Sequence, residues 1–321
     1  MSLDAELNVI TEDYVEKRPV DVYFQDNILL YTLLGNGGLK TSMVGPGDTV
    51  DGGKKIKVIL EYAMSHAGGY GNTTMIPQSK KDILNAALFR WAGYYASNTI
   101  DLDDQVQNNG DAALVNLAWA KLRNIEKSIR DQMGTDIYSA AADGVLFNGL
   151  GDLFNTTSSA AYGNIKEDDM AEWKANLDDT SEAISFKVMQ GIKRTAKVGQ
   201  NKQDKPNLYI TTDLLKDGYE RTLQSQQRFY DESLVKAGFD NIMFSQAPVV
   251  ADDKQGSGVC DGLNTNYLSI KTHTKYGFTT PKWEYSKDQP DTLTANTRYI
   301  GNLVCKNRKA HCRHTNLTEP S

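Results

Sequence analysis

Apolar side chains recur at every second position from Ile56 to Met64 (Ile56, Val58, Leu60, Tyr62, Met64), while Lys55, Lys57 and Glu61 fall on the opposite face. A period of two predicts a strand over 54–64. A polar, glycine-rich stretch follows, Ser65 to Lys81, with Gly68-Gly69-Tyr70-Gly71 inside it. Then comes Ile83 to Ser97, rich in aromatics (Phe89, Trp91, Tyr94, Tyr95). Two strands joined by a long polar tip make an extended hairpin, which is marginal by itself. It has to lie on something, and a projecting hairpin suits a neighbour.

The spacing changes further on. Leu114, Ala118, Leu122, Ile125, Ile129, Met133 and Ile137 step by three or four, the stripe of a helix over 103–138. Asp101, Asp103 and Asp104 lie upstream, where negative charge suits a helix start, and Asn108-Asn109-Gly110 can interrupt it. At about 1.5 Å per residue such a helix runs on the order of 40 Å. Residues 140–180 are irregular and rich in glycine. A second helix is expected after Asp179-Thr180-Ser181-Glu182, read as its N-terminal signal, with Ile184, Val188, Ile192 and Ala196 as its stripe. Pro206 breaks it and opens a strand, Asn207 to Thr211; a polar helix is expected over 213–237, and strands at 242–250, 267–271 and 299–305. Strands and helices mix without βαβ regularity, so the fold class is α+β. Residues 1–50 read as an arm: the apolar Asn27–Leu34 stands between acidic sequence and Gly35, Gly37, Gly38, Gly45 and Gly47, which mark turns or an extended path.

Composition narrows the classes. Of 321 residues, 40% are hydrophobic and 24% charged, ordinary values that exclude gross disorder. With 35 basic against 41 acidic residues, net −6, the surface as a whole does not grip nucleic acid. Three cysteines make no disulfide framework and fit a reducing or redox-indifferent compartment. No apolar run approaches the roughly 20 residues of a membrane span. Met1–Val9 lacks a basic region followed by an apolar core, so no secretory signal is expected and the sequons at Asn72, Asn155 and Asn316 read as chance matches. Charge is unevenly placed. Residues 1–30 hold seven acids and two bases; residues 298–321 hold five bases (Arg298, Lys306, Arg308, Lys309, Arg313) and one acid. The two ends either meet something, such as each other on different copies, or are two solvated termini.

Candidate chemistry is thin. Gly35-Asn36-Gly37-Gly38-Leu39-Lys40-Thr41 departs from a phosphate loop because Leu39 separates glycine from lysine. Asp101-x-Asp103-Asp104 begins like a calcium loop, but Val106 and Ala112 stand where the turn glycine and bidentate glutamate belong. Cys305, His311, Cys312 and His314 are four zinc-competent side chains within ten residues, yet two are sequence neighbours and cannot easily point at one ion; Cys305 reads as a small core residue. His66 and His273 have no nucleophile motif beside them. The aromatic group Phe89, Trp91, Tyr94 and Tyr95 has only Arg90 among it, so packing is expected rather than base stacking. No catalytic group, metal ligand or cofactor is assigned. What remains is a charged arm, a long hairpin, a long helix, a glycine-rich middle and a mixed end domain, parts that reach outward from a subunit of an assembly.

That order of parts resembles the major capsid proteins of tailed bacteriophages, the Hong Kong 97-type fold, over roughly residues 20–318. Gly149 to Ile165, with Thr156-Thr157-Ser158-Ser159 before Tyr162-Gly163-Asn164-Ile165, is similar to a family segment that usually reads Tyr-Gly-Gly-Ile, and Trp173 stands near where relatives keep a tryptophan. Asn164 replaces the second glycine, which asparagine tolerates because it also accepts positive φ. Pro206-Asn207-Leu208-Tyr209-Ile210-Thr211-Thr212, with Tyr219 in the helix that follows, resembles the start of the family's A-domain. Phe244-Ser245-Gln246-Ala247-Pro248-Val249-Val250-Ala251-Asp252 resembles its F-x-G-x-P-V-V-x-D strand. Asn266–Ile270 and Gly301–Arg308 are similar to its later strands.

The resemblance implies an N-terminal arm (1–50), an extended E-loop hairpin (51–100), a P-domain with spine helix (101–205), an A-domain (206–280) and P-domain return strands with a tail (281–321). It implies a structural protein, not an enzyme, that self-assembles as pentamers and hexamers into an icosahedral head enclosing double-stranded DNA. Assembly in the host cytoplasm and localisation in the virion follow, with no membrane. Inter-subunit contacts are expected from Ile56, Val58, Leu60, Tyr62, Trp91 and Tyr94 of the hairpin, whose face is expected to lack a partner in its own chain, and from Asp13, Glu16 and Asp21 of the arm. No long charged helical segment precedes the arm, so scaffolding is expected to be a separate protein or a part removed before this chain was defined; a portal and a decoration protein are the other implied partners, with only non-specific contact to packaged DNA. Lys54, Lys55, Lys57, Lys80 and Lys81 match no cross-linking site, and no cross-link is expected. The alternatives are an encapsulin-like nanocompartment shell, which shares the fold, and a small hydrolase or metal enzyme.

Overall fold

The computed structural model describes residues 27–34, 49–72, 75–101, 111–140, 145–157, 160–223, 241–277, 283–286 and 291–320. The chain divides into a first unit (Met1–Gln25, Tyr95–Asp131, Phe278–Arg298) and a second (Asp26–Tyr94, Gln132–Gly277, Tyr299–Ser321). The arm residues up to 26, the glycine loop 35–48 and the acidic stretch 102–110 lie outside the described residues.

Asn27 begins the described chain as a helix start. Its Oδ1 accepts the Leu30 N–H at 2.8 Å and opens α1 (Ile28–Leu34), whose Ile28, Leu29, Leu30 and Leu34 are buried. Within the stretch read as an arm, this helix is an element the sequence reading did not assign. Burying four apolar side chains in a single short helix outweighs the glycine that follows. The Asn27 amide also donates to the Gly134 carbonyl at 3.2 Å. Strand β1 (Thr49–Val50) leads to β2 (Ile56–Glu61) and β3 (Leu84–Phe89), paired antiparallel from Ile56↔Phe89 to Glu61↔Leu84. The strand expected over 83–97 is two: after Arg90-Trp91 the chain enters β4 (Ala92–Ile100), which pairs with a strand near the C-terminus and not with β2.

Helix α2 (Asp111–Asp136) realises the long stripe. Ile125, Ile129, Met133 and Ile137 are buried, and Ala118 and Leu122 are half-buried. After the short α3 (Leu150–Leu153), β5 (Ala161–Tyr162) and β6 (Ile165–Lys166) form a hairpin across Gly163 and Asn164, both left-handed at φ 59° and 65°. Asparagine tolerates this region, as expected. Strands β7 (Leu177–Asp178) and β8 (Glu182–Ala183) precede α4 (Phe186–Thr195). The helix start therefore falls later than expected: Ser185, not the 179–182 stretch, caps it by accepting the Val188 N–H. The expected stripe holds, with Ile184, Val188, Ile192 and Ala196 all buried.

Strand β9 (Leu208–Thr211) and α5 (Asp213–Thr222) follow, residues 224–240 being undescribed. The strand expected over 242–250 is a tight hairpin, β10 (Asn241–Phe244) and β11 (Ala247–Ala251). Ser245 (φ 52°) and Gln246 (φ 68°) make its turn, and Gln246 stands where the resembling pattern has glycine. The remaining strands are β12 (Cys260–Leu263), β13 (Leu268–His273), β14 (Trp283–Tyr285), β15 (Leu293–Cys305), β16 (Cys312–His314) and β17 (Leu317–Thr318).

In the first unit β14 pairs antiparallel with the start of β15 (Trp283↔Ala295). In the second, β13 pairs with the end of β15 (Leu268↔Cys305) and parallel with β1. A six-stranded mixed sheet, ordered β10-β11-β9-β12-β16-β7, carries α4 and α5. Its core centres on Phe244, met edge to face by Phe186, Tyr209 and Tyr219 at 5.4, 5.5 and 6.4 Å. Gly262 in β12 lets α4 approach: a Cβ there would lie 2.6 Å from Ile192. Parallel and antiparallel pairs mix in this sheet, so it is not the all-parallel sheet of a doubly wound fold.

Candidate assembly surfaces

The β2–β3 hairpin has two unlike faces. Ile56, Leu60, Ala87 and Phe89 are buried; Ile59 and Leu84 are exposed. The buried face is held by the β5–β6 turn. Leu88 donates its backbone N–H to the Gly163 carbonyl at 2.8 Å. Phe89 meets Tyr162 edge to face at 5.2 Å, Tyr162 stacks on Trp173 at 6.1 Å, and the Trp173 indole donates to the Tyr162 carbonyl at 2.9 Å. Beneath lies the buried Arg308, its guanidinium 5.1 Å from the Tyr162 ring centre and 3.3 Å from the Glu167 carboxylate. It donates to the carbonyls of Leu153, Trp173 and Asn155.

This corrects one expectation. The face carrying Ile56 and Leu60 does have a partner in its own chain, and Tyr94 is likewise buried, 4.9 Å from the Phe147 ring. Val58, Tyr62 and Trp91 are half-buried. Trp91 donates to the Gly53 carbonyl at 2.8 Å and packs on His273. Asp13, Glu16 and Asp21 lie outside the described residues.

Among the described residues, one set of uncovered apolar side chains lies between the two strands of the hairpin. Between Tyr62 and Ile83, among the described residues, there is no strand, and Met64 (85% exposed), Tyr70 (77%), Met75 (94%) and Ile76 (67%) stand in solvent. Exposed apolar side chains gathered in one loop are the kind of surface a partner can cover. The stretch is polar and glycine-rich overall, which hides them in the sequence; four large apolar residues in a loop are the available signal.

The C-terminal charge also resolves. Arg308 pairs with Glu167, and Arg313 makes a bidentate pair with Asp261, 2.7 Å on each oxygen. Two of the five cations at this end are therefore spent inside the chain. Cys305, His311, Cys312 and His314 are all buried. His311 Nδ1 accepts the Asn264 N–H at 3.1 Å, and burial pushes its pKa down to about 3. Burial raises the Cys305 and Cys312 thiols to about 12. His314 Nε2 lies 3.1 Å from Glu182. Cys305 is the core residue expected. Among the described residues no group of three or more such side chains is placed to hold a metal, and no helix is long and apolar enough to cross a membrane.

Neither a family model nor a curated protein matches the sequence. Solved structures do. A chain of the cyanophage A-1(L) capsid asymmetric unit is similar at TM-score 0.69 and 16% identity, over 95% of this chain and 96% of that one. A chain of the empty GTA particle capsid is similar at TM-score 0.63 and 10% identity, over 99% of both. The holo-SrpI encapsulin of Synechococcus elongatus PCC 7942 is similar at TM-score 0.53 and 8% identity, over 74% of this chain and 78% of that one. The chain therefore has the fold of phage capsid chains. That fold is the Hong Kong 97-type α+β arrangement the sequence resembles.

Proposed function

We propose that this chain is the major capsid protein of a tailed phage, assembling with itself as pentamers and hexamers around double-stranded DNA, and located in the virion. The observation that carries the reading is the hairpin: its root is locked into the second unit by the Phe89–Tyr162–Trp173 stack, while its tip offers Met64, Tyr70, Met75 and Ile76 to nothing in the same chain that is described. An element built this way stabilises a shell by burying its tip on a neighbouring copy, at about 25 cal/mol per Å² repeated around the assembly. In this reading β2–β3 and its tip are the E-loop, α2 the spine helix, residues 1–50 the arm and 206–280 the core of the A-domain. The chain has a structural role with no catalytic group, and a scaffolding protein, a portal and a decoration protein are its partners.

The encapsulin reading shares the subunit fold, but that likeness covers less of the chain. Negative-stain electron microscopy of the expressed protein, alone and with a scaffold candidate, tests the proposal. Closed shells support it; a chain of about 36 kDa that stays monomeric under all conditions sinks it. Shells carrying a protein cargo instead of DNA favour the nanocompartment.

A further inference from the structure

Residues 186–205 hold six basic side chains (Lys187, Lys193, Arg194, Lys197, Lys202, Lys205) against one acid, Asp204, in a chain whose net charge is −6. The structure sorts them. Lys187, Gln190, Arg194 and Lys197 follow one another at intervals of three, four and three, a single line along α4 and its C-cap turn. That line lies opposite the buried Val188, Met189 and Ile192. Lys187, Gln190 and Arg194 are exposed and Lys197 is half-buried. Lys193 is committed elsewhere, to the Ser245 hydroxyl and the Phe244 ring. Lys187 and Arg194 make no hydrogen bond or ion pair among the described residues, and Lys197 donates only to the neutral Gln200 amide, at 2.8 Å. The nearest acids in sequence face other partners: Glu182 lies 3.1 Å from His314, and Asp204 accepts from the Tyr267 hydroxyl at 3.3 Å.

A solvated helix face ordinarily mixes signs, and cations near its C-terminus suit the helix dipole. That accounts for Arg194 and Lys197. It does not account for Lys187, two residues after the Ser185 cap, where positive charge opposes the dipole. A row of uncompensated cations that includes an unfavourably placed one fits a polyanion. Ten residues of helix span about 15 Å, the axial reach of about four nucleotides of one strand.

We propose that this outward face of α4 is a sequence-blind contact for nucleic-acid phosphates. The proposal rests on the capsid reading, in which duplex DNA is the polyanion at hand. It localises to one helix a contact that the chain's overall acidity disfavours elsewhere.

The test is fluorescence anisotropy of a labelled random-sequence duplex with the full, unassembled chain, between roughly 25 and 200 mM salt, where phosphate contacts are strongly salt-dependent. Binding is expected to be indifferent to sequence and to weaken steeply with salt. The triple variant Lys187→Gln/Arg194→Gln/Lys197→Gln is expected to lower the slope of log K against log salt by about 2–3, roughly 0.9 per lost phosphate contact. A control at exposed lysines elsewhere, Lys166→Gln/Lys174→Gln, is expected to leave the slope unchanged. Should the triple variant fail to fold by circular dichroism, Lys187→Gln alone serves, with an expected drop of about 1. No duplex binding by the native chain, an unchanged slope in the variant, or an equal loss in the control overturns the proposal. So does a variant that binds DNA normally but no longer closes shells, which would assign the stripe to a protein contact. Shell formation by the native chain is scored separately, so a failed stripe and a failed capsid reading give different results.

Discussion

Gly163 and Ala87 lie so close that a Cβ on the glycine would sit 2.9 Å from the alanine Cβ, and Gly163 is left-handed at φ 59°. The β5–β6 turn can reach the hairpin root only without a side chain. Gly163→Ala adds both a clash and a strained backbone, together about 1–3 kcal/mol. Chemical denaturation of the unassembled subunit measures it, and a loss below about 0.5 kcal/mol contradicts this account of the root.

If the hairpin tip meets a neighbouring copy as proposed, substitutions there affect assembly without affecting folding. Met75→Ser with Ile76→Ser removes side chains that stand in solvent, so the stability of the free subunit is expected to move by less than about 0.5 kcal/mol. Particle yield by sedimentation and electron microscopy is expected to fall steeply. Native yield from the double variant argues against the tip as a contact surface.

Gln246 holds a left-handed φ of 68° in the β10–β11 turn, a conformation that costs a residue with a side chain about 1 kcal/mol. Gln246→Gly is expected to raise the stability to denaturant by about that amount. A loss of stability would mean that the glutamine side chain makes a contact worth more than the strain.

His311 gives a pH dependence with a defined sign. Its folded pKa, about 3, lies below the ordinary 6.5, so the unfolded chain takes up a proton that the folded chain refuses. The site's contribution is complete above about pH 6.5 and erodes as pH falls towards 3, on the order of 1 kcal/mol per unit. His311→Asn puts an amide oxygen where Nδ1 stands, so it keeps an acceptor for the Asn264 N–H and removes the titration. Denaturation midpoints between about pH 7 and pH 4 are expected to fall less in the variant than in the native chain. Parallel curves would show that the histidine does not remain neutral in the fold.

Legibility in the sequence follows the physics of each element. The stripe Ile125, Ile129, Met133, Ile137 is readable because one helical face buries continuously. The alternation through Ile56 and Leu60 gives the right faces but the wrong partner, since periodicity shows that a face is covered and not by what. The Gly163-Asn164 turn is evident from residue type; the Ser245-Gln246 turn is not, because neither residue advertises a left-handed backbone. Arg308 and Arg313 read as surface charge in the sequence, because their partners, Glu167 and Asp261, are distant along the chain. The exposed side chains between Tyr62 and Ile83 carry no periodic signal.

Strand β16, Cys312–His314, lies between β12 and β7 in the six-stranded sheet, and β17 pairs with β8. Strands β7, β8 and β12 thus find these partners only once residues 312–318 are made. A chain stopped before residue 312 leaves β12 and β7 without the strand that lies between them, while β10, β11, β9 and β12 still face α4 and α5. That edge of the sheet is then finished last, by chain far beyond β7 in sequence, so it is the part of this sheet that an interrupted synthesis leaves open.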